Sequence, residues 1–171
     1  SDKRMFDSAA LYFSGATLYA PGNAAYLTRL AETECRLGRY RSALEHIVIA
    51  ERLKPDLFEA QFQFGVVLTQ LERYAEAVGR FRKATDIDSS VGAAVINLSF
   101  LYSELKQHDS ARVYLSRALE FDSKNKHLYT KLIKADLALG RLQEAQQVLE
   151  RYRLINPSTP EIEHFMGRPA P

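Results

Sequence analysis

Residues 74–88 read YAEAVGRFRKATDID, and the order of bulky and small side chains in this stretch decides the fold. Tyr74 is followed at three by Ala77, at seven by Phe81 and at ten by Ala84. That spacing places all four on one face of an α-helix. The same frame stands 34 residues earlier in YRSALEHIVIAERLKPD, with Tyr40, Ala43, Ile47 and Ala50, and 34 later in HDSARVYLSRALEFDSK, with Ala111, Leu115 and Ala118. A further copy is LQEAQQVLERYRLINPS. Self-similarity at a period of roughly 20 to 50 residues marks a repeat architecture and takes precedence over any single residue.

A period of 34 divides the chain without gaps into repeats 24–57, 58–91, 92–125 and 126–159. The first half of each carries apolar residues three and four apart: Leu27, Leu30 and Ala31; Phe64, Gly65 and Leu68; Val95, Leu98 and Tyr102; Tyr129, Leu132 and Ile133. This is one face of an amphipathic helix. A break follows at RLGRY, QLERY, ELKQH and ALGRL, where Gly38 and Gly140 suit a left-handed helix end. The second half is another helix, whose Ala43, Ala77, Ala111 and Ala145 let the paired helix approach closely while the larger residue four later fills the flanking groove. It stops at KPD, DSS, DSK or NPS, where Pro55 and Pro157 cannot continue a helix.

These residues resemble the tetratricopeptide repeat, whose pattern of Leu, Gly and Tyr in the first helix and Ala, Phe, Ala and Pro in and after the second is matched in part by every repeat. The resemblance implies an all-α, right-handed superhelical solenoid of antiparallel helix pairs. Two departures stand out. The large aromatic of the early first helix is Leu27, Gln61, Val95 and Tyr129, and the family's usual Tyr position holds Glu34, Leu68, Tyr102 and Asp136. Two acids in a core need partners, so Glu34 and Asp136 are expected at partly wet edges or hydrogen-bonded.

Residues 1–23 fit the second helix of a partial N-terminal repeat, with Phe6, Ala9, Phe13, Ala16 and Pro21 in frame. Met5, Phe6, Leu11, Tyr12 and Phe13 are too apolar to face water on every side, so this helix predicts a contact through Met5, Phe6 and Phe13, either with upstream repeats or with a second copy. At the other end, residues 160–171 with PEIEHFMG read as a capping segment.

Composition and motifs narrow the function. The 23 basic and 21 acidic residues are interleaved, giving a net charge of +2 and no basic field for nucleic acid or membrane, although residues 126–159 are locally basic. A base-per-repeat RNA reader needs the same polar contact positions in each repeat, and those faces here are mixed and often apolar. No apolar run spans a bilayer, and SDKRMFDSAALYF lacks the order of a signal peptide. Cys35 is the lone cysteine, so no intrachain disulfide forms and no compartment is implied. The eight glycines form neither a dinucleotide fingerprint nor a phosphate loop, and His46, His108, His127 and His164 share no metal-ligand spacing. The reading is therefore non-enzymatic, without metal or cofactor, with Cys35 a helix-packing thiol and His108 a turn residue.

In the repeat family the first helices line a concave groove with the second, fifth, sixth and ninth places of each repeat. Carried over, the resemblance implies a groove presenting Arg29 and Glu32, then Phe62, Gln63 and Val66, then Ile96, Asn97 and Phe100, then His127, Lys131 and Lys134, with Arg36 at its edge. An apolar centre of Phe62, Val66, Ile96 and Phe100 would take apolar anchors of a partner peptide or helix, and Arg29, Arg36, Lys131 and Lys134 would meet acids. The two-carboxylate clamp by which some members hold heat-shock chaperone tails is broken, since Phe62 and Val66 stand where Lys and Asn belong, although Asn97 and Lys131 fit. Asn97 alone would stand in the asparagine ladder of glycosyltransferase arrays. The expected function is a protein-interaction scaffold. Its alternatives are an assembly module working through its terminal helices and a chaperone-like holder of an apolar client or secreted segment.

Overall fold

The computed structural model describes residues 2–156, and the regular structure among them is helical. In chain order the helices are α1 (Asp2–Tyr19), α2 (Ala24–Arg36), α3 (Tyr40–Leu53), α4 (Phe58–Gln70), α5 (Tyr74–Ile87), α6 (Gly92–Glu104), α7 (His108–Phe121), α8 (Lys126–Ala138) and α9 (Leu142–Ile155). First helices thus begin at Ala24, Phe58, Gly92 and Lys126, 34 residues apart. The described residues form two compact units that divide between residues 94 and 95. In the first, α1 packs on α2, α2 on α3 and α4, α3 on α4, and α4 on α5. In the second, α8 packs on both α7 and α9, and Tyr102 of α6 stacks on Tyr114 of α7 with ring centroids 5.1 Å apart. The capping segment 160–171 and His164 lie outside the described residues.

Every hairpin turn is built alike. Gly38, Glu72, Lys106 and Gly140, one per repeat at the same place, all have positive φ, at 75°, 59°, 55° and 72°. Behind each, the next amide reaches back five residues: Arg39 N to the Glu34 carbonyl at 2.8 Å, Arg73 N to Leu68 at 2.9 Å, Gln107 N to Tyr102 at 2.9 Å and Arg141 N to Asp136 at 2.8 Å. This left-handed closure satisfies carbonyls orphaned at the helix end. Glycine takes it without cost, whereas Glu72 and Lys106 hold it against the Cβ clash that disfavours this region. The motif is therefore imposed by packing as well as by local preference.

Between the helices of a pair the alternation in YAEAVGRF acts as the sequence implies. Ala43, Ile47 and Ala50, then Ala77, Phe81 and Ala84, then Ala111, Leu115 and Ala118, are all fully buried. The largest of these, Phe81, has its room from the opposite helix: a Cβ built on Gly65 would lie 2.8 Å from the Phe81 ring. Gly65 is thus a close-approach glycine, and the pair Gly65 and Phe81 stands where the first repeat has Ala31 and Ile47.

The departures from the family pattern also find physical partners. Gln61 is fully buried, and its Nε2 donates to the Pro55 carbonyl at 2.8 Å. Two repeats on, the Tyr129 hydroxyl donates to the Ser123 carbonyl at 3.2 Å from the same places in the frame. A glutamine amide does here what the tyrosine hydroxyl does there. Arg80 lies over the Phe64 ring at 4.1 Å and donates to Glu51 Oε1 at 2.7 Å. Partial burial pushes the Glu51 carboxyl up, but the Arg80 hydrogen bond and charge, with smaller help from Gln61 and Lys83, together hold it below the usual carboxylate range.

Neither core acid sits at a wet edge. Glu34 and Asp136 are 8% and 1% exposed, and each is met by a base instead. Glu34 Oε2 stands 2.8 Å from His46 Nδ1, and Arg112 Nε donates to Asp136 Oδ1 at 2.7 Å. Asp136 Oδ2 is buried without a hydrogen bond, so its pairing rests on one guanidinium contact.

The N-terminal helix α1 turns one side to α2. Phe6 and Phe13 are half-buried, Phe6 with the Arg36 guanidinium 5.4 Å above its ring and Phe13 edge-on to Tyr12 at 5.3 Å. Of the three residues expected to make an outside contact, Met5 is the exposed one, at 61%. The rest of the open apolar surface belongs to Leu11, Tyr12, Leu18 and Tyr19.

Candidate functional site

Within the first unit, α2 and α4 border a cavity of about 370 Å³ lined by Glu32, Cys35 and Arg36 from α2 and Phe62, Gln63, Val66 and Gln70 from α4. Phe62 and Val66 are half-buried and form its apolar wall. Phe62 is held by two rings, stacked on Phe58 at 5.9 Å and edge-on to Phe81 at 5.4 Å, so its exposed edge is rigid. Gln63 is nearly buried and offers only a margin of its side chain. On the polar side, Arg29 donates to Glu32 at 2.9 Å and Arg36 reaches the other oxygen of the same carboxylate at 3.5 Å. The two guanidiniums are 60% and 58% exposed, so the triplet presents a surplus of one positive charge to solvent.

Cys35 is a wall of this cavity but a poor nucleophile. Burial pushes its thiol above the ordinary value, Arg36 pulls it down less strongly, and Glu32 adds to the rise. Thiolate is the reactive form, so this environment favours an inert thiol.

Within the second unit a cavity of about 300 Å³ is lined by Ser103 of α6, His108 and Ala111 of α7, and His127, Thr130, Lys131, Lys134 and Ala135 of α8. Lys131 donates to Glu104 at 2.8 Å and its ammonium stands 5.4 Å from the centroid of Phe100. An ammonium over a ring face is electrostatically favourable and fixes the lysine's direction. Phe100, Ile96 and Asn97 are half-buried on α6. His108, expected as a turn residue, opens α7 and is a cavity wall.

Of the residues singled out in the sequence, the first cavity brings together Glu32, Arg36, Phe62, Gln63 and Val66, with Arg29 tied to Glu32. The second brings together His127, Lys131 and Lys134, with Phe100 tied to Lys131, while Ile96 and Asn97 line neither cavity. Gln70, Ser103 and Thr130 were not singled out, and Cys35 only as a helix-packing thiol. Cys35 and Ser103 share the twelfth place of their repeats, and Gln70 shares the thirteenth with Arg36. Extending the inner face one turn beyond the ninth place would have found these three, whereas Thr130 stands at the fifth place, already assigned to the groove.

Among the described residues, no group of three His, Cys, Asp or Glu side chains stands close enough to hold a metal, and no helix is long and apolar enough to cross a membrane. A larger hollow of about 560 Å³, lined by Ala20, Gly22, Asn23, Ala24, Ala25, Leu53, Lys54 and Leu57, offers little directed polarity, since the Asn23 side chain is used in capping α2.

A tetratricopeptide-repeat profile matches residues 104–168, the part of the chain that holds the second cavity's α7 and α8. This match and the solved structures below support a tetratricopeptide-repeat assignment. The chain's fold, an all-α helical-repeat solenoid, has close counterparts among solved structures. YrrB, a tetratricopeptide-repeat protein with an unusual peptide-binding site, superposes with a TM-score of 0.84 at 23% identity, covering 93% of this chain and 82% of YrrB. MamA superposes at 0.81 with 18% identity, covering 99% of this chain and 91% of MamA. Among curated sequences, Sperm-associated antigen 1 of Rattus norvegicus is 31% identical over 104 residues, or 60% of this chain. This chain spans a tenth or less of the length of the curated relatives it matches. Tetratricopeptide-repeat arrays are generally non-enzymatic scaffolds for protein partners.

Proposed function

We propose that this repeat array is a scaffold that grips a segment of a partner protein, with the first-unit cavity as the anchor site for a bulky apolar side chain. The observation that carries the reading is the combination at that cavity of a rigid, half-exposed Phe62 beside Val66 with a charged rim of Arg29, Glu32 and Arg36. An aromatic wall held by its own neighbours binds an apolar anchor without losing side-chain freedom, which is where interface energy concentrates. The second cavity, with His127, Lys131 and Lys134, is suited to acidic side chains of the same class of partner. YrrB's peptide-binding site adds weight to a peptide ligand.

The matching test is selection from a displayed random-peptide library against the intact chain. Selected peptides are expected to carry an aromatic or large aliphatic residue near acids. Phe62→Ala should weaken them by about 1 to 3 kcal/mol. Because Phe62 also packs on Phe58 and Phe81, Val66→Glu serves as a second probe on the open side of the cavity, and helicity is checked for both. Peptides with no shared anchor, or peptides indifferent to both variants, would remove the assignment.

A further inference from the structure

The side of α1 turned away from α2 carries a run of exposed apolar residues. Leu11 is 77% exposed and Leu18 82%. In the repeat frame Leu11 stands where α3, α5, α7 and α9 have Glu45, Gly79, Val113 and Gln147, and Leu18 where they have Arg52, Asp86, Glu120 and Leu154. Met5 stands where Arg39 and Arg73 precede their helices. All of these counterparts are exposed, so stacking of repeats leaves these places open, and α1 alone fills both the Leu11 and the Leu18 place with apolar side chains. An exposed apolar stripe of this kind marks an interaction surface.

The stripe has an internal order. Met5, Ser8, Leu11, Tyr12, Gly15 and Leu18 recur at spacings of three and four down one face of α1, with Tyr19 beside Leu18. The sequence of sizes is large, small, large, large, small, large, and it reads the same from either end about a midpoint between Leu11 and Tyr12. A Cβ built on Gly15 meets nothing within 4 Å, so no contact inside the chain calls for the glycine. All the charges of α1, Asp2, Lys3, Arg4 and Asp7, fall in its first two turns, and residues 8–23 carry none.

Self-complementarity is the requirement a two-fold interface places on a surface. We propose that the occupant is a second copy of this chain, α1 lying antiparallel on α1 about a two-fold axis between Leu11 and Tyr12. Gly15 of one copy then faces Ser8 of the other, which lets the helix axes approach to about 8 Å, and Leu18 and Tyr19 cover Met5. Each charged helix end meets an uncharged one. A parallel pair would set Leu18 against Leu18 and Gly15 against Gly15, leaving a gap at the glycines that the antiparallel pairing of Gly15 with Ser8 reduces. The proposal is independent of the peptide cavities.

Sedimentation of the intact chain across concentration is expected to show a monomer–dimer equilibrium. Leu11→Asp and Leu18→Asp should each weaken the dimer by roughly thirtyfold or more while leaving helicity unchanged, since both side chains are exposed. Phe62→Ala should not alter the dimer. Disulfide trapping in a Cys35→Ala background reads the geometry: Leu11→Cys should link to its own copy, whereas Met5→Cys should not, its counterpart lying about 20 Å away along the pair. Met5→Cys mixed with Tyr19→Cys should give the mixed dimer. A monomer at every concentration, a dimer indifferent to Leu11→Asp, or ready self-linking of Met5→Cys would each overturn the proposal.

Discussion

The two cavities share the fifth, sixth and ninth places of a repeat and differ in their chemistry there. The fifth, sixth and ninth places are Phe62, Gln63 and Val66 in α4 and Thr130, Lys131 and Lys134 in α8. What lies beneath each follows suit. Under Phe62 the support is hydrocarbon, Phe81 seated against Gly65. Beside Ala111 and Ala135 of the second cavity, the support is the Arg112 and Asp136 ion pair. Hairpin packing constrains the interior of each repeat but leaves these places open to change, so one repeat frame carries an aromatic cavity wall in one unit and a cationic one in the other.

The difference can be broken from below, and the largest effect is expected in the second unit. Arg112→Ala leaves Asp136 buried without its guanidinium and should destabilise that unit by about 3 kcal/mol, because an uncompensated buried charge costs more than the pair contributes. Chemical denaturation followed by probes in each unit would locate the loss. Replacing both residues, Arg112→Met with Asp136→Leu, should recover most of it.

Next in size is the hydrocarbon support of the first unit. Gly65→Ala drives a Cβ into the Phe81 ring and should cost about 2 kcal/mol by overpacking. Adding Phe81→Ile recreates the Ala31 and Ile47 pairing of the first repeat and should return at least half of that loss, a coupling measurable as a double-mutant cycle. Simple additivity of the two changes would mean the two sites do not share a contact.

The smallest effect sharpens a likeness rather than a contrast. Glu72 and Lys106 hold the left-handed turn that Gly38 and Gly140 hold freely. Glu72→Gly or Lys106→Gly should stabilise its own unit by about 0.5 kcal/mol, the relief of backbone strain being partly offset by the greater freedom of glycine in the unfolded chain. Thermal unfolding resolves a gain of that size in a domain this small.

The helices and their pairing are legible in the 34-residue frame because close packing of Ala43, Ala77, Ala111 and Ala145 with larger residues four later leaves a periodic trace. The left-handed turn is legible at Gly38 and Gly140 but not at Glu72 and Lys106, where tertiary packing overrides local preference. The partners of the buried acids are hidden for a different reason. His46 lies twelve residues after Glu34, whereas Arg112 lies 24 before Asp136, so no fixed offset predicts both. The exposed face of α1 emerges only once Phe6 and Phe13 are seen to be half-buried and Leu11 and Leu18 open.

The most direct test of the peptide-scaffold reading is calorimetric titration of one library-selected peptide into the intact chain, Val66→Glu and Lys131→Gln, each at low and high salt. The account predicts that Val66→Glu loses affinity at both salt concentrations and that Lys131→Gln loses a smaller amount, mainly at low salt, where exposed charge pairs are least screened. Equal affinity of all three proteins for the peptide would contradict it.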